Sequence, residues 1–222
     1  METILTLLLV AHVAGGMTGL ISGAFNIANR KGGKYHRLIG KIYVGGMFTA
    51  TISGVLLAYL KENSFLFLIG IFSFYLAFTG FRTLSHKKIN AEGVFKPIDY
   101  VVAIITAIFA VIMIVQGFGF TNHGGLSLNP VLLIFGCVSL VYGGGDLLIF
   151  KGIRKIKNPK HHWFFNHIIR MMASYISAVT AFLVVNITFL PNLLIWIGPS
   201  VIGSIIISIF VRRYRVKFGL LA

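Results

Sequence analysis

Ionisable side chains interrupt apolar stretches of this sequence at only a few points. His12 sits in a glycine-rich apolar run, and His36 precedes Lys41 by five residues. Asp99 opens a later run and Asp146 falls near the end of the next, followed by His162, His167 and Arg170. Three chemistries suit these types. A b-type haem takes axial histidines from facing helices at matched depth. His36 with His167 or His86 would supply them, with Lys41 and Arg170 neutralising the propionates. A zinc-dependent intramembrane hydrolase takes three His or Asp ligands and keeps one position open for water. His36, Asp99, Asp146, His162 and His167 offer enough donors, but no HxxxH pair occurs, and His162 and His167 are five apart. A proton-coupled transporter would use Asp99, Asp146 and His167 as a relay, although no inverted repeat is visible. A purely structural account also stands: Lys41 and Arg170 pair with Asp99 and Asp146 and pin four helices together.

The elements that position these groups follow from composition. Of the 222 residues, 57% are hydrophobic and 11% charged, against about 25% charged in soluble domains. Too little polar surface remains to coat a water-soluble globule. A soluble enzyme, a disordered chain and a free nucleic-acid-binding domain are therefore excluded as expectations. The single cysteine, Cys137, removes disulfide frameworks and Cys-based metal sites. A spanning helix needs about 20 mostly apolar residues. Seven stretches qualify, at about 3–27, 38–60, 64–83, 98–118, 130–150, 165–190 and 192–211. The breaks carry turn residues at 29–33, Pro97, 122–125, Asn158–Pro159 and Pro191. Pro199 falls inside the last stretch and is expected to kink it. The first stretch is too long, and lacks the leading basic residues, for a signal peptide. The fold expected is all-α: residues 1–222 as a single polytopic domain of seven transmembrane helices.

Orientation is read from lysine and arginine. Arg30, Lys31, Lys34 and Arg37 occupy the first loop, and Arg82, Lys87, Lys88 and Lys96 the third. Lys151, Arg154, Lys155, Lys157 and Lys160 occupy the fifth, and Arg212, Arg213, Arg215 and Lys217 the tail. The even loops hold only Lys61. The N-terminus is thus expected outside and the C-terminus in the cytoplasm of a bacterial inner membrane. The net charge of +15 becomes a topology signal suited to anionic inner-leaflet lipids, not to nucleic acid. A membrane partner subunit or a homo-oligomer is compatible with this reading.

Small residues mark the packed faces. Gly15, Gly19 and Gly23 recur every four residues on the stripe that carries His12. Gly45, Gly46, Ala50, Ser53 and Gly54 mark the second helix. Gly136, Ser139, Gly143 and Asp146 mark the fifth, and His167, Arg170, Ser174, Ser177 and Ala181 the sixth. His12 is expected to bond a hydroxyl of a neighbouring helix, or to ligate a haem or quinone.

Two stretches carry a family resemblance. Tyr35-His36-Arg37-Leu38-Ile39-Gly40-Lys41-Ile42-Tyr43 opens the second helix. His162-Trp163, His167, Met172-Ala173-Ser174-Tyr175-Ile176 and Thr180-Ala181-Phe182 open the sixth. Together they resemble a bacterial family of seven-helix membrane proteins known as a domain of unknown function, with HRxxGxxY at the second helix. Its first-helix histidine would match His12. The resemblance implies the fold and directs attention to His12, His36, Lys41, His162, His167, Arg170 and Tyr175. More distantly, the architecture is similar to membrane haem proteins of the cytochrome b561 type. The leading expectation is a haem- or cofactor-binding redox protein. Its site would lie among helices one, two, five and six, held by His12, His36, Lys41, His167, Arg170 and Tyr175. Zinc hydrolase, transporter and non-catalytic subunit remain alternatives, so enzymatic activity is open.

Overall fold

The computed structural model describes residues 2–87, 95–119, 128–156 and 158–221, all helix and connection. Lys88, His123, Lys157 and the turn signal at 122–125 lie outside them. The helices are α1 (Glu2–Ala28), α2 (Lys34–Leu60), α3 (Ser64–Arg82), α4 (Pro97–Gly117), α5 (Asn129–Phe150), α6 (Pro159–Asn186) and α7 (Asn192–Lys217). A 3-10 turn, Thr83–His86, prolongs α3. Seven of these helical segments are long and apolar enough to cross a bilayer.

Several ends differ from the hydropathy reading. α6 starts at Pro159, where a proline suits the first turn, so His161 and His162 are helical. α2 starts at Lys34 after the extended Gly33, and α7 runs unbroken past Pro199 to Lys217. Polar first and last turns lower hydropathy without stopping a helix, so apolar runs report the hydrocarbon and not the full element.

Consecutive helices pair as α1 with α2, α4 with α5 and α6 with α7, while α3 also packs on α2, α4 and α6. α3 is therefore the hub and buries Leu68, Phe72, Tyr75, Leu76, Ala77 and Gly80. Lipid is as apolar as leucine, so helices associate through close fit and polar contacts. The α1–α2 seam shows this: a Cβ on Gly46 would come within 2.9 Å of Gly15 O and Gly19 N. Gly32, at φ +78°, makes the turn between the two helices, where other residues would be strained.

Candidate functional site

A cavity of about 430 Å³ opens among α1, α2, the 3-10 turn, α6 and α7. His36, in the first turn of α2, and His167, on α6, both line it, with ring centroids 6.5 Å apart and planes at 83°. His167 Nδ1–H donates to the Gly80 carbonyl at 2.9 Å. That bond fixes the tautomer and leaves Nε2 with a free lone pair. His36 Nδ1 is buried without a hydrogen-bond partner, as is Asn26 Oδ1 on the same wall.

The walls are apolar and aromatic, from Tyr43, Phe81, Trp163, Phe164, Tyr175 and Phe210, with Met171 and Met172. Tyr43 and Ser174 are hydrogen-bonded at 2.5 Å, which ties α2 to α6 behind the cavity. A Cβ on Gly23 would strike the ring of Tyr175, and one on Gly40 would press on Asn26 Nδ2 at 3.1 Å. These glycines let aromatic and amide side chains occupy the wall. Lys31, Arg37, Lys41 and Lys87 supply positive charge to the lining. Lys31 Nζ folds back on the end of α1, donating to Asn26 O at 2.9 Å and Ile27 O at 2.5 Å, and lies 5.6 Å from the Phe210 ring centre. Its half-buried setting lowers its pKa from the ordinary lysine value, because burial disfavours the ammonium. Lys87 Nζ lies 4.9 Å from the centre of the Trp163 ring. Among the described residues, no carboxylate lines the cavity.

Asp99 and Asp146 lie elsewhere. Arg170 Nη1 and Nη2 donate to Asp146 at 2.7 and 2.6 Å, and Tyr75 OH donates to the same carboxylate at 2.6 Å. Asp99 caps the start of α4, accepting the Lys96 backbone N–H at 2.7 Å. It also takes two bonds from Arg82, at 2.8 and 2.9 Å. The expected pairing of Lys41 and Arg170 with Asp99 and Asp146 is thus corrected in one half. Arg82, carried inward where the 3-10 turn extends α3, is the partner of Asp99, and Lys41 lines the cavity. Arg170, expected to counter a cofactor's acid groups, spends its charge on Asp146.

The residues expected to act together divide into groups. His36, Lys41, His167 and Tyr175 share the large cavity. His86, Asp99, Asp146, His162 and Arg170 line a second, small pocket with Asn166. The zinc donor set is therefore split, and among the described residues no group of three His, Cys, Asp or Glu converges. His86, the alternative partner for His36, packs on Phe95 and Phe150 instead. His12 stands apart: its Nδ1–H donates to the Ala50 carbonyl of α2 at 2.7 Å, against a backbone acceptor and not a hydroxyl. The contact is possible because Gly54 has no Cβ to block the ring. α5 contributes nothing to the large cavity, and α7 contributes Phe210.

The family model described as a predicted membrane protein, DUF2306, matches residues 9–142. The chain belongs to the DUF2306 family. No curated protein and no solved structure matches it. The DUF2306 match spans His12, His36 and Lys41 and ends within α5, before the His167 and Tyr175 side of the cavity. Sequence reasoning missed Asn26, Lys31, Lys87 and Trp163 as cavity residues. Lys31 and Lys87 were legible only as topology charges, and nothing in the spacing says that each folds back over an aromatic ring.

Proposed function

We propose that the large cavity seats a b-type haem between His36 and His167, which makes this DUF2306 protein a one-electron carrier of the bacterial inner membrane. The observation that carries the reading is the histidine pair, 6.5 Å between ring centres within one apolar cavity. Two imidazoles on one metal, each at about 2 Å and with its ring centre about 1 Å further, stand about 6 Å apart. The lone pair left on His167 Nε2 suits a ligand, and its Nδ1–H bond to Gly80 is the kind of contact that orients ligating histidines. Haem b is a flat apolar ring with two carboxylates, and the cavity combines aromatic walls with cationic Lys31, Lys41 and Lys87. A haem held by His36 and His167 would supply one-electron transfer.

The orientation that accompanies this reading is N-terminus outside, with the basic face and the cavity toward the cytoplasm. Contact with anionic inner-leaflet lipids and a redox partner in the membrane follow from that placement. Visible absorption of the protein purified in mild detergent and supplied with haemin tests the proposal. A Soret band is expected, and it is lost in both His36→Ala and His167→Ala. A colourless native protein, or colour surviving the double substitution, overturns the assignment. A reporter fused after α7 is expected in the cytoplasm, and a periplasmic signal overturns the orientation.

A further inference from the structure

Between the two arginine–aspartate pairs lies a space of about 20 Å³, bordered by His86, Asp99, Asp146 and Arg170. It is bordered by α3, the 3-10 turn, α4, α5 and α6. A cavity of this size admits one water molecule and little else. Two of the residues that line it each carry a buried polar atom without a hydrogen-bond partner, His86 Nε2 and Arg170 Nε. Both residues are more than nine-tenths buried, at 7% and 5% exposure. Such orphans are uncommon in folded interiors, and each one points to something that satisfies it.

The chemistry of the wall selects the occupant. Arg170 Nε is always a donor, whereas His86 Nε2 donates or accepts according to tautomer. His86 Nε2 lies 3.6 Å from Asp99 Oδ2, an electrostatic contact longer than a direct hydrogen bond, which leaves its hydrogen-bonding capacity unused. A cation would face two guanidinium groups, and an anion would face two carboxylates. An apolar group would leave both nitrogens unsatisfied. Water alone both accepts and donates, so it suits either tautomer of His86.

We propose that this space binds a single water molecule that accepts the Nε–H of Arg170 and bonds to Nε2 of His86. The water joins the Arg82–Asp99 and Arg170–Asp146 pairs into one network through the 3-10 turn, α4, α5 and α6. It also gives His86 a partner for proton exchange inside the bundle. This inference does not rest on haem binding.

Proton-detected solid-state NMR of the full chain in lipid bilayers, labelled with ¹⁵N-arginine and ¹⁵N-histidine, reads the site directly. A water cross-peak at the Arg170 Nε–H is expected, with Arg170→Lys identifying the resonance. The peak is retained in His86→Gln, which keeps a polar atom within reach, and lost in His86→Phe, whose ring fills the space. A native protein without the peak overturns the proposal. Persistence of the peak in His86→Phe overturns the His86 bridge. Should His86→Phe fail to fold, loss of the peak in His86→Gln overturns the bridge.

Discussion

Replacing Asp146 with alanine leaves the guanidinium of Arg170 charged inside the bundle. Arg170 is 5% exposed and Asp146 7%, so bulk water does not replace the lost contacts. Both Nη donors to Asp146 disappear, at 2.7 and 2.6 Å, and Tyr75 OH loses its 2.6 Å acceptor. Removing one member of a buried pair costs about 3–5 kcal/mol. Some compensation remains: Arg170 Nη1 is 3.4 Å from Tyr75 OH, and its guanidinium lies over the Tyr75 and Tyr142 rings at 5.6 and 5.4 Å. Cation–π contacts of this kind retain about 1 kcal/mol. The expected net loss is about 3 kcal/mol, more than a hundredfold in the folding constant. Reversible unfolding in mixed micelles measures it. The double variant Asp146→Leu, Arg170→Met removes both charges at similar volume and is expected to recover most of the loss. A single variant that loses under about 1 kcal/mol, or a double variant no better than the single, refutes the reasoning.

Three other outcomes are expected. Gly46→Ala pushes a methyl against the α1 backbone and costs about 2 kcal/mol, whereas Gly45→Ala, with open space at its Cβ, is neutral in the same unfolding assay. Gly23→Ala drives the Tyr175 ring toward the large cavity. For a steric cost of about 1.4 kcal/mol in the bound state, haem affinity falls about tenfold in a titration. Burial lowers Lys31 from its ordinary pKa of 10.5, so the folded chain releases this proton before the unfolded one does. The unfolded state then binds more protons in the interval between the two values, and stability from this group rises with pH up to the ordinary lysine value. Lys31→Met is expected to flatten that part of the unfolding profile.

The spans were legible because hydrocarbon thickness imposes a length on apolar runs, and the small-residue stripes of α1 and α5 marked faces that do pack, while Gly45 on α2 and Ala181 on α6 are exposed. Gly15, Gly19 and Gly23 on α1, and Gly136, Ser139, Gly143 and Asp146 on α5, are all buried. Depth was also legible, which is why His36 and His167 were natural partners to consider. What spacing does not encode is the rotation of one helix against another. Arg82 looked like a loop cation until the 3-10 turn carried α3 onward and set it against Asp99. His86 and His167 were equivalent candidates by depth, yet they border different pockets. Lys31 shows the same limit at a loop: its charge predicted a topology, while its position was decided by the exposed carbonyls that end α1.

α6 is where the two kinds of chemistry separate. His162, Asn166 and Arg170 line the small pocket, and His167, Met171 and Tyr175 line the large one. On the first side every carboxylate meets an arginine, so the formal charge of each pair is cancelled. On the second side Lys31, Arg37, Lys41 and Lys87 share a wall that holds no carboxylate among the described residues. The cavity wall therefore carries positive charge beside its apolar and aromatic side chains. A neutral apolar guest would gain nothing from those cations, and a small hydrophilic anion would gain nothing from the aromatic walls. The haem proposal rests on this combination, because haem b is an apolar ring with acidic groups at one edge. The paired histidines add the one requirement that a simple lipid does not meet.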